Sequence, residues 1–127
     1  MVARRTLLVV EDDDELRRMY HTTLGLAGFE VSEAANGLEA LRRLDGWAPP
    51  DLIVLDLIMP GLTGHAVAQE VAAQAHLRHI PVLIVTGSTE NVDYLDVACV
   101  MRKPVTPDGL IEAVKRCLGS AAPPTNA

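Results

Sequence analysis

Four acidic side chains in a row, Glu11, Asp12, Asp13 and Asp14, follow directly on an apolar run, Thr6–Val10 (TLLVV). A lone carboxylate, Asp56, follows a second apolar run, LIVL at residues 52–55. Thr86 closes a third at residues 82–85, and Lys103, followed by Pro104, closes a short fourth at residues 100–102. Each has a plain reading when taken singly. Acids favour a helix N-terminus, an Asp after a strand suits a turn, a Thr suits a strand end, and a Lys before Pro suits the surface. As a set they offer several oxygen ligands, a carboxylate nucleophile, a hydroxyl donor and an ammonium.

Carboxylates brought together repel and raise one another's pKa. A hard divalent cation relieves this. Mg²⁺ takes oxygen ligands, usually one or two carboxylates, and keeps water or phosphate oxygens in its other positions. Asp12 and Asp56 suit that demand directly, with Glu11 able to join through water, and Mn²⁺ is the natural substitute ion. Asp13 and Asp14 are read instead as the opening of the following helix. A carboxylate at a strand tip can attack phosphorus to give an acyl phosphate. Such a transfer depends on in-line placement and charge neutralisation more than on covalent help. Lys103 supplies one charge, and the Lys103–Pro104 bond is a candidate for the cis form, which would fix a tight turn and orient the lysine.

These residues converge only if the elements between them take one arrangement. Continuous apolar runs of this length suit strands buried on both faces. They alternate with amphipathic stretches. Leu16, Met19, Tyr20, Thr23, Leu24 and Ala27 repeat at helical spacing, and Gly28 ends that helix. Residues 29–33 form a second strand. Leu38, Leu41 and Leu44 mark a helix opened by Asn36, and Val67, Val71 and Leu77 mark a third. Residues 90–98 suggest a weak fourth helix, and Leu110, Ile111, Val114 and Leu118 line the last. Five strands alternating with five helices imply an α/β fold: a doubly wound parallel sheet with the flavodoxin-like order 2-1-3-4-5, its fourth helix short or irregular. In such folds the working residues sit past the carboxyl ends of the strands, where this set lies.

Composition sets the outer bounds. The 127 residues suit one domain, and at 49% hydrophobic but only 3% aromatic the core must be aliphatic. A net charge of −6 argues against direct nucleic-acid binding. No apolar run approaches the ~20 residues needed to span a bilayer, so no membrane partner is expected. The basic-then-apolar start is too short for a signal peptide and runs into four acids. Cys99 and Cys117 form neither a metal spacing nor a CxxC pair, so a cytoplasmic location is expected. His21, His65, His76 and His79 are read as surface or helix-end residues, and Trp47 as a loop residue over the sheet edge. The final AAPPTNA, residues 121–127, reads as a disordered tail or the start of a linker after a domain at residues 1–120.

The pieces LLVVEDDDELR, DLIVLDLIMPGLTG, PVLIVTGS and RKPV, in this order, resemble the receiver domain of two-component response regulators. The resemblance runs from Thr6 to about Leu118. It implies that Asp56 is the phosphoacceptor and that Glu11 and Asp12 are the acid pair for Mg²⁺, joined by the backbone carbonyl of Ile58. It implies that Thr86 is the switch hydroxyl and that Lys103 contacts the phosphoryl group. The donor would be a phosphohistidine on a histidine kinase or a phosphotransfer protein. The output would pass to a downstream protein or a fused effector domain. The chain would be a switch, with self-phosphorylation and self-dephosphorylation as its intrinsic reactions.

Three positions depart from the family pattern. Val100 stands where an aromatic ring usually swings inward, so the resemblance does not carry the threonine–aromatic coupling to this chain. The stretch between Thr86 and Lys103 is several residues short. Ile58, which with Ser88 flanks the path of the hydrolytic water, is apolar where many members are polar, so a slowly hydrolysing phosphorylated state is expected. Other readings are weaker. A flavin-binding flavodoxin needs a donor-rich phosphate loop where the acids stand. A haloacid-dehalogenase-like phosphatase needs a second acid at position 58. A pseudo-receiver, binding partners without phosphorylation, keeps the fold and remains the alternative.

Overall fold

In the computed structural model, residues 4–46, 48–95 and 97–121 are described. The elements run β1 (Thr6–Val10), α1 (Asp14–Leu26), β2 (Glu30–Ala34), α2 (Gly37–Gly46), β3 (Leu52–Asp56), α3 (Gly64–Ala73), β4 (Val82–Thr86), β5 (Cys99–Arg102) and α4 (Pro107–Ala121). All strand pairings are parallel, and the sheet order is β2-β1-β3-β4-β5. The expected flavodoxin-like arrangement is the one adopted.

The strand alternation divides the core in two. Leu8, Val10, Ile53, Leu55 and Ile84 face one side, against Ala40 and Leu44 of α2 and Val67, Ala68 and Val71 of α3. Leu7, Val9, Val54, Leu83 and Val85 face the other, against Tyr20 and Leu24 of α1 and Leu110, Val114 and Cys117 of α4. β3 and β4 are buried along their whole length, because helices cover both faces. This is why their sequences are unbroken apolar runs.

Helix starts follow local chemistry. The Asp13 carboxylate accepts from Leu16 N (2.9 Å), so the third acid of the run is the N-cap of α1. Asn36 Oδ1 accepts from Glu39 N (2.8 Å) while Glu39 Oε1 accepts from Ala35 N (2.9 Å), a reciprocal cap ahead of α2. Thr63 Oγ1 accepts from Ala66 N (3.2 Å) and opens α3.

One expected element does not form. The described residues of this stretch, 90–95 and 97–98, are not helical, which leaves four helices among the described residues where five are expected. The reason lies in the short polar side chains. Ser88 Oγ takes Glu90 N (3.1 Å) and Asn91 Oδ1 takes Asp93 N (2.8 Å), drawing backbone donors away from a helical ladder. Val92 and Leu95 are still buried, so the segment covers the sheet without being helical. Strand β2 sits one residue later than expected, and α4 extends to Ala121, into the stretch read as a tail. The rest of that tail and Trp47 lie outside the described residues. Among the described residues, no helix is long and apolar enough to cross a membrane.

Candidate functional site

The carboxyl ends of β1, β3, β4 and β5 open onto one cleft, lined by Glu11, Asp12, Asp13, Leu16, Asp56, Ile58, Gly87, Ser88 and Lys103. Glu11 leaves β1 with its backbone N–H still donating to Ala34 O (3.1 Å), which turns the next residues over the sheet end. Its side chain is 1% exposed. One oxygen, Oε2, accepts from Asp13 N (3.1 Å), and the other, Oε1, lies 3.3 Å from Lys103 Nζ. Asp56 ends β3 and is also buried. Its Oδ1 accepts from Ile58 N (3.2 Å), and its Oδ2 lies 3.7 Å from Lys103 Nζ. Lys103 thus stands between two acids that belong to different strands.

Glu11, Asp12 and Asp56 can bring one carboxylate oxygen each to within 4.8 Å of one another. The group holds oxygen donors alone, with neither His nor Cys among them. That chemistry fits a hard cation such as Mg²⁺ and not a soft one. The electrostatics agree with the fit. Burial is the main cause that raises the Glu11 pKa to about 7, with the Asp56 charge adding to it and Asp13 N–H and Lys103 opposing. Burial also raises Asp56, against the pull of Lys103 and Ile58 N–H. Burial, with the Asp56 charge acting on Glu11 and the Asp12 charge acting on Asp56, holds both acids back from ionising, and a divalent cation would relieve this.

Thr86 ends β4 fully buried and does not line the cleft. Its Oγ1 accepts from Ser88 N (3.0 Å), and its carbonyl accepts from Lys103 N (2.9 Å). The Lys103–Pro104 bond is cis. Ser88 and the half-exposed Ile58 form parts of the rim. Val100, on β5 in register with Ile84, is partly exposed and takes no part in lining the cleft. The sequence-predicted acids, lysine, Ile58 and Ser88 therefore meet, Thr86 lies just behind them, and Val100 stands apart.

Two supporting residues escaped the sequence reading. Arg17 donates from Nη1 to Glu11 O (2.8 Å) and from Nε to Glu33 Oε1 (3.0 Å), tying α1 to the acid turn and β2. Nothing in its helical position singles it out. Gly64 opens α3 directly against the backbone of Asp56. A Cβ there would lie 2.1 Å from Asp56 O and 2.6 Å from Leu57 Cα. A glycine directly after the capping Thr63 is a legible signal of such close approach. None of the four histidines lines the cleft, and His65, at the start of α3, has its Nε2 2.6 Å from Glu90 Oε1.

Comparison with known proteins matches residues 7–115 to the family described as response regulator receiver domain. The CpxR homolog of Haemophilus influenzae, described as a transcriptional regulatory protein, is 35% identical over 125 residues. That match takes in 94% of this chain but 53% of the relative, so the chain spans about half of it. The polar-differentiation response regulator DivK of Brucella anthropi is 31% identical over 92% of this chain and 98% of its own length. The solved structure of chemotaxis protein CheY4 of Vibrio cholerae superposes with a TM-score of 0.83 at 31% identity, covering 91% of this chain and 99% of that one.

Proposed function

The chain belongs to the response regulator receiver domain family, and from that premise we propose that Asp56 accepts a phosphoryl group from a phosphohistidine of a partner kinase or phosphotransfer protein. The observation that carries the reading is the placement of Lys103 Nζ between Glu11 (3.3 Å) and Asp56 (3.7 Å), with Asp12 in reach of both acids. A nucleophilic carboxylate, a compact cation and a three-acid oxygen cluster are the parts phosphoryl transfer to Asp requires.

Each residue then has a task. The Ile58 N–H fixes the Asp56 carboxylate so that one oxygen is held while the other faces the cleft. That free oxygen forms the O–P bond as the donor's P–N bond breaks, its electron pair returning to the imidazole nitrogen. Lys103 compensates the charge on the phosphoryl oxygens. Glu11, Asp12, Asp56 and the Ile58 carbonyl would hold Mg²⁺, with Mn²⁺ as substitute, and the ion supplies positive charge at the phosphoryl oxygens. The Gly87–Ser88 backbone borders the cleft and could donate to the transferred group, and the buried Thr86 hydroxyl would reach it by turning away from Ser88 N–H. Ile58 offers no polar side chain to orient a hydrolytic water, so the acyl phosphate lasts. The output is a changed affinity for a downstream protein or a fused effector, and the chain is a switch, not a turnover enzyme.

The second reading, a binding module that works without phosphorylation, draws on two observations. Thr86 Oγ1 is engaged by Ser88 N–H away from the cleft, and the described residues between β4 and β5 form no helix. Incubation with a small phosphodonor such as acetyl phosphate decides between the two. The phosphoacceptor reading predicts a mass gain of one phosphoryl group with Mg²⁺, lost on chelation and in Asp56→Asn. Equal labelling of the variant, or none in the wild type with Mg²⁺ present, would support the binding module instead.

A further inference from the structure

β5 carries a second cation one residue before Lys103. Arg102 pairs in register with Thr86 and is exposed, yet both terminal nitrogens of its guanidinium bond to the segment that leaves β4. Nη1 donates to Ser88 O and Nη2 donates to Glu90 O (3.0 Å). The Glu90 carboxylate in turn meets His65 Nε2 on α3 (2.6 Å), and the His65 ring stacks on Tyr94, with centroids 6.4 Å apart and planes 10° from parallel. Tyr94 is itself largely exposed. At the other end of this series, Ser88 N–H donates to Thr86 Oγ1. An unbroken set of contacts therefore runs from the buried hydroxyl at the cleft, through Ser88 and Arg102, to an exposed tyrosine on a segment without helical bonding.

We infer that Arg102 is a positioning residue that clamps the segment from Ser88 to Leu95 in the unphosphorylated state and releases it when Thr86 turns toward a phosphoryl group. The inference rests on Asp56 being the phosphoacceptor. Thr86 Oγ1 does not line the cleft, so reaching a group on Asp56 turns it away from Ser88 N–H. That amide then needs a new acceptor, and the nearest anionic one is the phosphoryl group in the cleft that Ser88 lines. Movement of Ser88 into the cleft draws its carbonyl off Arg102 Nη1. Arg102 is planar and makes its two bonds as one unit, so losing one carbonyl misaligns the other. Glu90 and the His65–Tyr94 stack are then no longer held at their inner end. The route needs no aromatic ring at Val100, because the arginine two residues later connects the same strand to the same segment.

Amide hydrogen exchange at Glu90, Asp93 and Leu95 reads this clamp, since each amide is bonded within the segment. In the wild type with Mg²⁺, adding beryllofluoride, a phosphoryl mimic, speeds exchange there on the order of tenfold. In Arg102→Gln the amides exchange fast from the outset and beryllofluoride adds nothing, while acetyl phosphate still labels Asp56. Arg102→Lys, keeping one donor, restores part of the difference between the two states. A residue that merely stabilised the segment would shift both states equally. Unchanged exchange in a wild type whose Asp56 is labelled overturns the inference, as does a wild-type response in Arg102→Gln. Failure to label Asp56 in the wild type overturns the phosphoacceptor reading itself, and the labelling assay separates the two failures.

Discussion

Ile58 stands at the rim of the cleft with an aliphatic side chain, and on the proposed function it gives the hydrolytic water no hydrogen bond. A single such bond is worth about 1 kcal/mol, or about fivefold in rate. Ile58→Asn should therefore shorten the lifetime of phosphorylated Asp56 by roughly fivefold, measured as loss of the phosphoryl mass after the donor is removed. A wild-type lifetime of only seconds would contradict the role given to Ile58. Glu11 yields a different prediction. Its pKa lies near 7 in the folded chain against an ordinary 4.5. Between those values the folded state holds a proton that the unfolded state has lost, so stability falls as pH rises through this window. Metal-free protein should show that decline in its urea midpoint, and Glu11→Gln should flatten it. Asp56, raised in the same direction, contributes with the same sign.

At the scale of elements, the β3–α3 junction is the most constrained. Gly64 has no room for a methyl group beside the Asp56 and Leu57 backbones. Gly64→Ala should lower stability by about 1–3 kcal/mol through overpacking and slow Asp56 labelling as well, because the nucleophile's own peptide must shift. Urea unfolding and phosphodonor labelling report the two effects separately. The strands were legible in the sequence because burial on both faces leaves unbroken apolar runs such as LIVL and VLIV. Helix starts were legible from Asp13 and Asn36, whose side chains do the capping. Residues 90–98, read as a weak, short or irregular fourth helix, contain the buried Val92 and Leu95. Their burial is real, but Ser88 and Asn91 take the backbone donors that a helix needs. Arg102 was invisible for a related reason: its partners are backbone carbonyls, which leave no mark on sequence spacing, and the same is true of the Glu11 carbonyl that Arg17 holds.

For the whole molecule, the parallel order β2-β1-β3-β4-β5 gathers acids, hydroxyl and lysine at one end of the sheet, where the buried polar side chains among the described residues, Glu11, Asp56 and Thr86, all lie. The set was legible because each member ends a run, and the topology follows from right-handed crossovers. Tertiary facts were not: that Thr86 lies behind the cleft, and that Lys103 bridges two acids. A chain of net charge −6 that brings the carboxylates of Glu11, Asp12 and Asp56 within 4.8 Å of one another should gain stability when a cation joins them. At a hundredfold excess over its Kd, Mg²⁺ should add about 2.7 kcal/mol, a Tm rise of several degrees. Asp12→Asn should lose most of that rise while keeping the fold, as circular dichroism would show.

The most direct test of the account is to identify the residue that carries the phosphoryl group. After reaction with acetyl phosphate and Mg²⁺, borohydride reduction converts a phosphorylated aspartate to homoserine, which peptide mass spectrometry locates. The account predicts homoserine at position 56 alone. Homoserine at Asp12, or an unreduced chain despite bound phosphate, would contradict it.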